Sequence, residues 1–281
     1  MDCLIIEGEP REVTEIRQRI MDSFADLVFI EDEHKYYVNG NEVPSVSHFT
    51  HVCGPKFDEI AMSEKYAADH GETALYWRQK WHQKSFKATS LGTKVHAWGE
   101  SYGWLKAGHP EKIVDFILPQ YHKETNTLVT WQPKEEAIVK FMDDLPKSYH
   151  LVLNEARVYS GKNPDEGMNT KQPYAGTFDM LYYYDGDGNV DKAGLVIFDY
   201  KTNESLTNEY SRTKHRMLYP PFDFLYDESL GYYTLQLSCY QIPLEDIGLK
   251  VLGRKLIHLL PNGEYKKVDL QDVTKTIRQN L

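Results

Sequence analysis

The sequence predicts a mixed α/β (α+β) chain, with a core in the order α-β-β-β-α-β and a helical addition at its N-terminus. Three observations carry this. Residues 150–200 contain three apolar and aromatic runs, His150 to Tyr159, Tyr174 to Tyr184 and Gly194 to Tyr200, and the turn sequence Asp185-Gly186-Asp187-Gly188 separates the last two. Tyr232 to Leu244 changes to helix spacing. Lys250 to Leu260 returns as a strand that stops at Pro261-Asn262-Gly263.

Ahead of that core, residues 11–25 read as a short amphipathic helix. Leu27 to Ile30 and Lys35 to Val38 read as a hairpin, with Asn39-Gly40 as turn. Ser45-Val46-Ser47, after Pro44, has hydroxyls suited to capping the next helix or meeting a phosphate. Residues 57–106 are largely helical, in two or three segments broken near His70-Gly71 and Thr89 to Gly92. Pro110, Pro119 and Pro133 punctuate an irregular stretch, and Lys134 to Asp144 forms a short helix before Pro146. The helix that holds His96 supplies the first element of the core. The polar segment 203–230 is longer than compact domains usually carry without a role, which marks it as a cover over a site. The expected division is therefore 1–88 as hairpin and helical accessory region, 89–265 as core, and 266–281 as a C-terminal tail or helix.

The 281 residues, 41% hydrophobic and 26% charged, have the composition of a globular protein with ample length for a core. No apolar run approaches the roughly 20 residues a membrane helix requires. Met1 to Glu7 lacks a basic segment followed by an apolar one, so the expected site is cytoplasmic, in the host if the chain is phage-encoded. The net charge of −10 excludes a nonspecific coat on DNA, and any nucleic-acid contact needs a local basic channel. Cys3, Cys53 and Cys239 are too few and too scattered for a disulfide framework or a four-cysteine metal site. No Gly-x-x-x-x-Gly-Lys-Ser/Thr loop is present, so ATP is not an expected cofactor.

The chemistry concentrates where the apolar strands end. Gly176-Thr177-Phe178-Asp179 lies on one, and Phe198-Asp199-Tyr200-Lys201-Thr202 closes the next. Asp179 and Asp199 offer hard oxygen ligands for Mg²⁺ or Mn²⁺, and Lys201, two residues beyond Asp199, shares its face of the strand. Two carboxylates with an ammonium suit phosphodiester hydrolysis. The plainer reading of an isolated Asp-x-Lys is a solvated strand end with an incidental ion pair.

These residues resemble the PD-(D/E)XK nuclease superfamily, and within it the RecB-like exonucleases, similar to the mitochondrial genome maintenance exonucleases and their phage-encoded relatives. Gly176 and Asp179 match the Gly-x-x-Asp motif, and Asp199 to Thr202 the Asp-aromatic-Lys-Thr form that follows. Gly92-Thr93-Lys94-Val95-His96 resembles the helical Gly-Thr-x-x-His motif, and Gln236-Leu237-Ser238-Cys239-Tyr240 the Gln-x-x-x-Tyr motif. The likeness covers roughly residues 89 to 260. It implies a restriction-endonuclease-like core, a mixed central sheet flanked by helices. It also implies Asp179, Asp199, the backbone carbonyl of Tyr200 and His96 as metal ligands, with the imidazole favouring Mn²⁺. Lys201 would orient or help deprotonate the attacking water, and Glu155 would bind metal through water or orient the site. Gln236 and Tyr240, one turn apart, would contact a nucleotide or tie down Lys201, with Thr93 and Thr202 as further substrate contacts. Some RecB-like relatives hold an iron–sulfur cluster on four cysteines, which this chain lacks, so no iron–sulfur cluster is expected.

A second constellation interleaves aromatics and bases. Trp77, Arg78, Trp81 and Lys84 lie along one stretch of helix and could stack bases and guide a single strand, while the plainer reading turns the tryptophans toward the core. Together these features predict a metal-dependent DNA nuclease. An exonuclease preferring single-stranded DNA or free ends is expected, in phage or bacterial DNA replication, recombination or repair beside proteins of those systems. An endonuclease of the same fold, a noncatalytic nucleic-acid-binding or assembly protein, and a metal phosphatase or esterase remain as alternatives.

Overall fold

The computed structural model describes residues 8–109, 120–121, 128–129, 133–163, 167–168 and 173–280. The expectations for Met1 to Glu7, with Cys3, and for Pro110 and Pro119 lie outside the described residues.

Helix α1 (Arg11–Ser23) is followed by β1 (Leu27–Ile30), β2 (Lys35–Val38) and β3 (Asn41–Val43), which form a small antiparallel sheet. Asn39-Gly40 turns the chain between β2 and β3, not between β1 and β2. Its φ angles of 50° and 79° are those a two-residue hairpin turn requires. At three residues, β3 is too short to present an alternating pattern. Helix α2 (Val46–Val52) is capped by Ser45, whose Oγ accepts the His48 N–H at 3.1 Å. Helix α3 (Glu59–His70) ends at Gly71 in the left-handed conformation.

Helix α4 (Ala74–Lys106) then runs for 33 residues, without the break expected at Thr89 to Gly92 and across the expected boundary at 88/89. The reason lies in packing. Gly92, His96, Gly99 and Gly103 are spaced to share one helix face. A Cβ on Gly99 would stand 2.9 Å from Tyr200 Cε2, and one on Gly103 would stand 2.8 Å from Asn154 Nδ2. These glycines allow close approach to the sheet; they do not end the helix.

The chain continues through β4 (Gln120–Tyr121), β5 (Leu128–Val129), α5 (Pro133–Asp143), β6 (Tyr149–Tyr159), β7 (Lys162–Asn163) and β8 (Gly167–Met168). Next come β9 (Ala175–Tyr184), β10 (Gly194–Lys201), α6 (Glu209–Thr213), α7 (Ser229–Asp246), β11 (Val251–Leu259), β12 (Tyr265–Asp269) and α8 (Thr274–Asn280). The principal sheet has the order β12-β11-β10-β9-β6, with β10 and β11 parallel and the other neighbours antiparallel. Strand β12 is an addition to the expected elements, and the expected boundary at 265/266 falls within it.

The protein is thus a mixed α/β structure with a helical layer on each face of a five-stranded mixed sheet. On one face Val95, Trp98 and Phe141 from α4 and α5 pack on Val196, Phe198 and Ile257. On the other, Val13, Tyr36, Leu235 and Tyr240 pack on Phe178, Ile197 and Leu256. Segment 203–230 is not simply a cover. Leu218, Phe222 and Leu225 are buried, and the Tyr219 N–H donates to the Cys53 carbonyl at 2.7 Å, so most of it is fastened to the end of α2. Cys53 and Cys239 are buried free thiols. No described helix is long and apolar enough to cross a membrane.

Arg17 ties α1 to the sheet. Strand β6 carries an extra residue between Leu151 and Leu153, and Arg17 Nε donates to the Val152 carbonyl at 2.7 Å. Its other nitrogens reach the Leu151 carbonyl at 3.0 Å and the Glu9 carboxylate at 2.6 Å. Both side chains are buried, so Arg17→Met, which removes the cation beside Glu9 and the donor to two carbonyls, is expected to destabilise the fold by about 3 to 5 kcal/mol in denaturant titration.

Candidate active site

Three carboxylates occupy one level of the principal sheet. The β9–β10 ladder has Phe198 opposite Met180 as its last pair, and one further step puts Asp199 beside Asp179. On the other side of β9, the pairs Asn154–Met180 and Ala156–Phe178 put Glu155 beside Asp179. Here the regular ladder ceases: Asp179 Oδ2 accepts the Tyr200 N–H at 2.5 Å in place of a backbone carbonyl. Glu155 has φ of 47°, a left-handed conformation unusual for a side chain of its size. The strand changes face there. Asn154 meets Gly103 of α4, whereas Ala156 joins the core on the α7 side.

The glycine face of α4 delivers His96 to this level. Its Nδ1 lies 3.0 Å from Asp179 Oδ1, and its ring stands edge-on to Tyr200 at 6.0 Å. Ligand atoms of His96, Glu155 and Asp179 all fall within 4.8 Å of one another, a separation at which one nitrogen and two carboxylates can share a divalent cation. Asp199 is engaged differently. It forms an ion pair with Lys201, whose ammonium also lies 4.5 Å above the Tyr233 ring. The expected ligand group therefore gathers as His96, Asp179 and Glu155, with Asp199 beside them on Lys201. For Tyr200, the amide rather than the carbonyl is tied into the cluster, and the ring is buried.

The charges explain this arrangement. Burial disfavours ionised His96, but the charge and hydrogen bond of Asp179 outweigh it and raise the imidazole pKa above its ordinary value. The same contact holds Asp179 below the usual carboxylate value, against the effect of burial. Burial and the Asp179 charge push Asp199 up to about 6. Burial, then Asp179 and Glu100, push Glu155 well above the usual range. Burial opposes the Lys201 ammonium, but Asp199 and Asp179 prevail and raise its pKa. The cluster has more acid than cation, and a bound divalent ion would relieve that excess.

His96 and Lys201 open onto a cavity of about 1190 Å³. Lys80, Lys84 and Lys87 of α4 and Lys134 of α5 line it as well, and Glu204 is the one acid among its described lining residues. Lys84 pairs with Glu204 at 3.1 Å. Trp77 and Trp81 do not line it. They pack edge-on against Tyr66 of α3 at 5.3 and 5.4 Å, and Arg78 donates to Ser63 Oγ at 3.1 Å, so these three join α4 to α3. The apolar partner they need is α3, and the lysines, rotated about 60° around the helix from the tryptophans, face the cavity instead.

The remaining expected contacts divide. Thr202 lines the cavity beside Gly92, while Thr93 is exposed and bonds back to the Thr89 carbonyl at 3.1 Å. Tyr240 is buried, accepts from Gln236 at 3.0 Å, and fills space that a Cβ on Gly176 would occupy, 2.5 Å from its ring. The motif glycine and motif tyrosine thus pack together, and neither Gln236 nor Tyr240 is among the described residues lining the cavity. Lys80, Lys87, Lys134, Asn203 and Tyr233 line the cavity without being among the residues that sequence reasoning selects. The spacing of Lys80, Lys84 and Lys87 is a legible signal; the others become neighbours only through the fold.

No protein-family model matches the chain, and no curated protein matches it.

The His96–Asp179 contact can be tested directly. In metal-free protein followed by NMR, His96 is expected to titrate above an ordinary imidazole, and Asp179→Asn to lower its pKa, because burial is then the main remaining influence. The stability from this contact is present in full below the unfolded histidine pKa and fades as pH rises through the raised folded value.

Proposed function

We propose that this protein is a metal-dependent deoxyribonuclease of the PD-(D/E)XK type, an exonuclease acting on single-stranded DNA or free ends in replication, recombination or repair of phage or bacterial DNA. The observation that carries the reading is the cluster of Asp179, Asp199, Glu155, His96 and Lys201, of which His96 and Lys201 line a large cavity whose other charges are mainly lysines. The order α4-β6-β9-β10-α7-β11 supports the finer fold assignment, being the α-β-β-β-α-β order the motifs imply. A chain of net charge −10 that gathers lysines around one cavity is suited to a polyanion there.

The donor set fits Mg²⁺ or Mn²⁺, held by His96, Asp179 and Glu155 with Asp199 adjoining. Such an ion polarises the phosphoryl oxygens and lowers the pKa of water. The residues themselves supply the rest. Lys201, kept protonated by Asp199, offsets phosphate charge and donates hydrogen bonds; it is not the base that accepts a proton from water. Glu155, whose pKa burial and Asp179 raise well above the usual range, is the carboxylate of the cluster that a bound cation would relieve most. Water adds to phosphorus and loses a proton to solvent, while the bond from phosphorus to the leaving sugar oxygen breaks and that oxygen takes a proton from solvent. Lys80, Lys84 and Lys87 hold the strand by its phosphates rather than its bases, which accords with tryptophans turned away.

End-labelled DNA with Mn²⁺ or Mg²⁺ is expected to be cut by the wild type. Cleavage is expected to fall at least about 100-fold in Asp199→Ala and Lys201→Ala and to stop in EDTA. Equal cleavage by all three proteins would remove the mechanism, and circular single strands separate end-dependent from internal cutting. Combined Lys80→Gln, Lys84→Gln and Lys87→Gln is expected to weaken single-strand binding and flatten its dependence on log salt by roughly 2, about 0.7 for each phosphate no longer neutralised.

A further inference from the structure

We propose that Asn203 and Lys134 form a phosphate-holding subsite beside Lys201, which grips a backbone phosphodiester of the bound strand next to the one under attack. The inference rests on the nuclease reading and adds to it two residues that belong to none of the motifs.

Asn203 lies just past β10, and its amide orientation is determined from two sides. The Tyr233 hydroxyl donates to Asn203 Oδ1 at 2.8 Å, which assigns the oxygen to that side of the amide. His258, across the parallel ladder from Lys201, lies with Nε2 2.8 Å from the Asn203 carbonyl. A carbonyl only accepts, so Nε2 carries the proton. Backbone and side-chain oxygens are both occupied. The Nδ2 group keeps two donors without a partner among the described residues, in a side chain that lines the cavity. Tyr233 is also the ring beneath the Lys201 ammonium, so one tyrosine positions both the lysine and the asparagine.

Lys134 approaches from the first turn of α5. It is 9% exposed, lines the same cavity, and donates to the carbonyl of Thr202, the residue between Lys201 and Asn203. One of its three N–H groups is used there. Glu204, the acid of the lining, is engaged by Lys84. A buried ammonium bonded to Thr202 and a fixed amide on the next residue are thus two sets of donors lining one cavity. A phosphodiester, with two equivalent oxygens, can accept from both. Thr202 then acts through its backbone as the hinge joining this subsite to Lys201.

The test compares Lys134→Met, Lys134→Arg and Asn203→Asp with wild type, with Lys140→Met, a surface change on the same helix, as control. Asn203→Asp keeps the acceptor for Tyr233 and replaces the Nδ2 donors with an anion. Thermal melts establish folding. Binding of a labelled single-stranded oligonucleotide is measured in EDTA, where no cleavage competes, and KM and kcat are measured with Mn²⁺. The expected result is a KM and a dissociation constant raised about tenfold or more in Lys134→Met and Asn203→Asp. Lys134→Met is also expected to flatten the salt dependence by about 0.7 and Lys134→Arg to restore binding, while Lys140→Met matches wild type. Unchanged binding in folded Lys134→Met and Asn203→Asp overturns the subsite while leaving the nuclease reading intact, and so does a loss confined to kcat. Wild type that neither binds nor cuts DNA overturns both.

Discussion

The site depends on how closely one helix can lie on the sheet. Gly92, Gly99 and Gly103 leave the face of α4 that surrounds His96 without side chains, so the helix backbone approaches Tyr200 and Asn154 at distances that a methyl group would forbid. Only then does an imidazole reach a carboxylate on β9. Glycine inside a helix costs about 1 kcal/mol relative to alanine, and three of them in 12 residues are sustained by the packing they permit. The same approach accounts for the loss of a regular ladder at Asp179, where the carboxylate has displaced a backbone partner of Tyr200.

That geometry creates an electrostatic problem that the residues solve only in part. Glu155, Asp179 and Asp199 are brought together in low dielectric with His96 and Lys201 as their nearby cations. Each pairing relieves one carboxylate, His96 for Asp179 and Lys201 for Asp199, and Glu155 is left with its basicity raised. A site built this way carries more negative than positive charge, and a cation entering it would relieve the excess. The left-handed backbone at Glu155 belongs to the same account, since strain of this kind persists where surrounding structure enforces it.

Much of this is legible in the sequence because periodicity reports burial. Strands β6, β9 and β10 and helix α7 follow their apolar patterns, and Asp199 and Lys201 fall at the end of β10 as expected, whereas Asp179, expected at a strand end, lies in the middle of β9. The misreadings share one physical cause: a residue type with two uses. Gly92 reads as a helix breaker and is a contact surface. Asn39-Gly40 is a true turn that joins a different pair of strands. Trp77 and Trp81 have the spacing of base-stacking groups, yet they pack, half-buried, against Tyr66. Lys134 and Asn203 carry no signal, because 68 residues separate Lys134 from the Thr202 carbonyl it meets, and only the folded chain makes them neighbours.

Helix α4 links these points. Its N-terminal half has an aromatic stripe and a lysine stripe about one sixth of a turn apart, and its C-terminal half has the glycine face. Packing of Trp77 and Trp81 against α3 sets the rotation of the first half, and the glycines set that of the second. Because the helix is continuous, the two are not independent: a rotation that improved one would spoil the other. The lysines are therefore aimed into the cavity by contacts made elsewhere on the same helix, and His96 by the sheet beneath it. This explains how an acidic protein can present a basic surface at one place: of the lysines that α4 turns toward the cavity, Lys84 alone is paired with a carboxylate among the described residues, and helix rotation places the others.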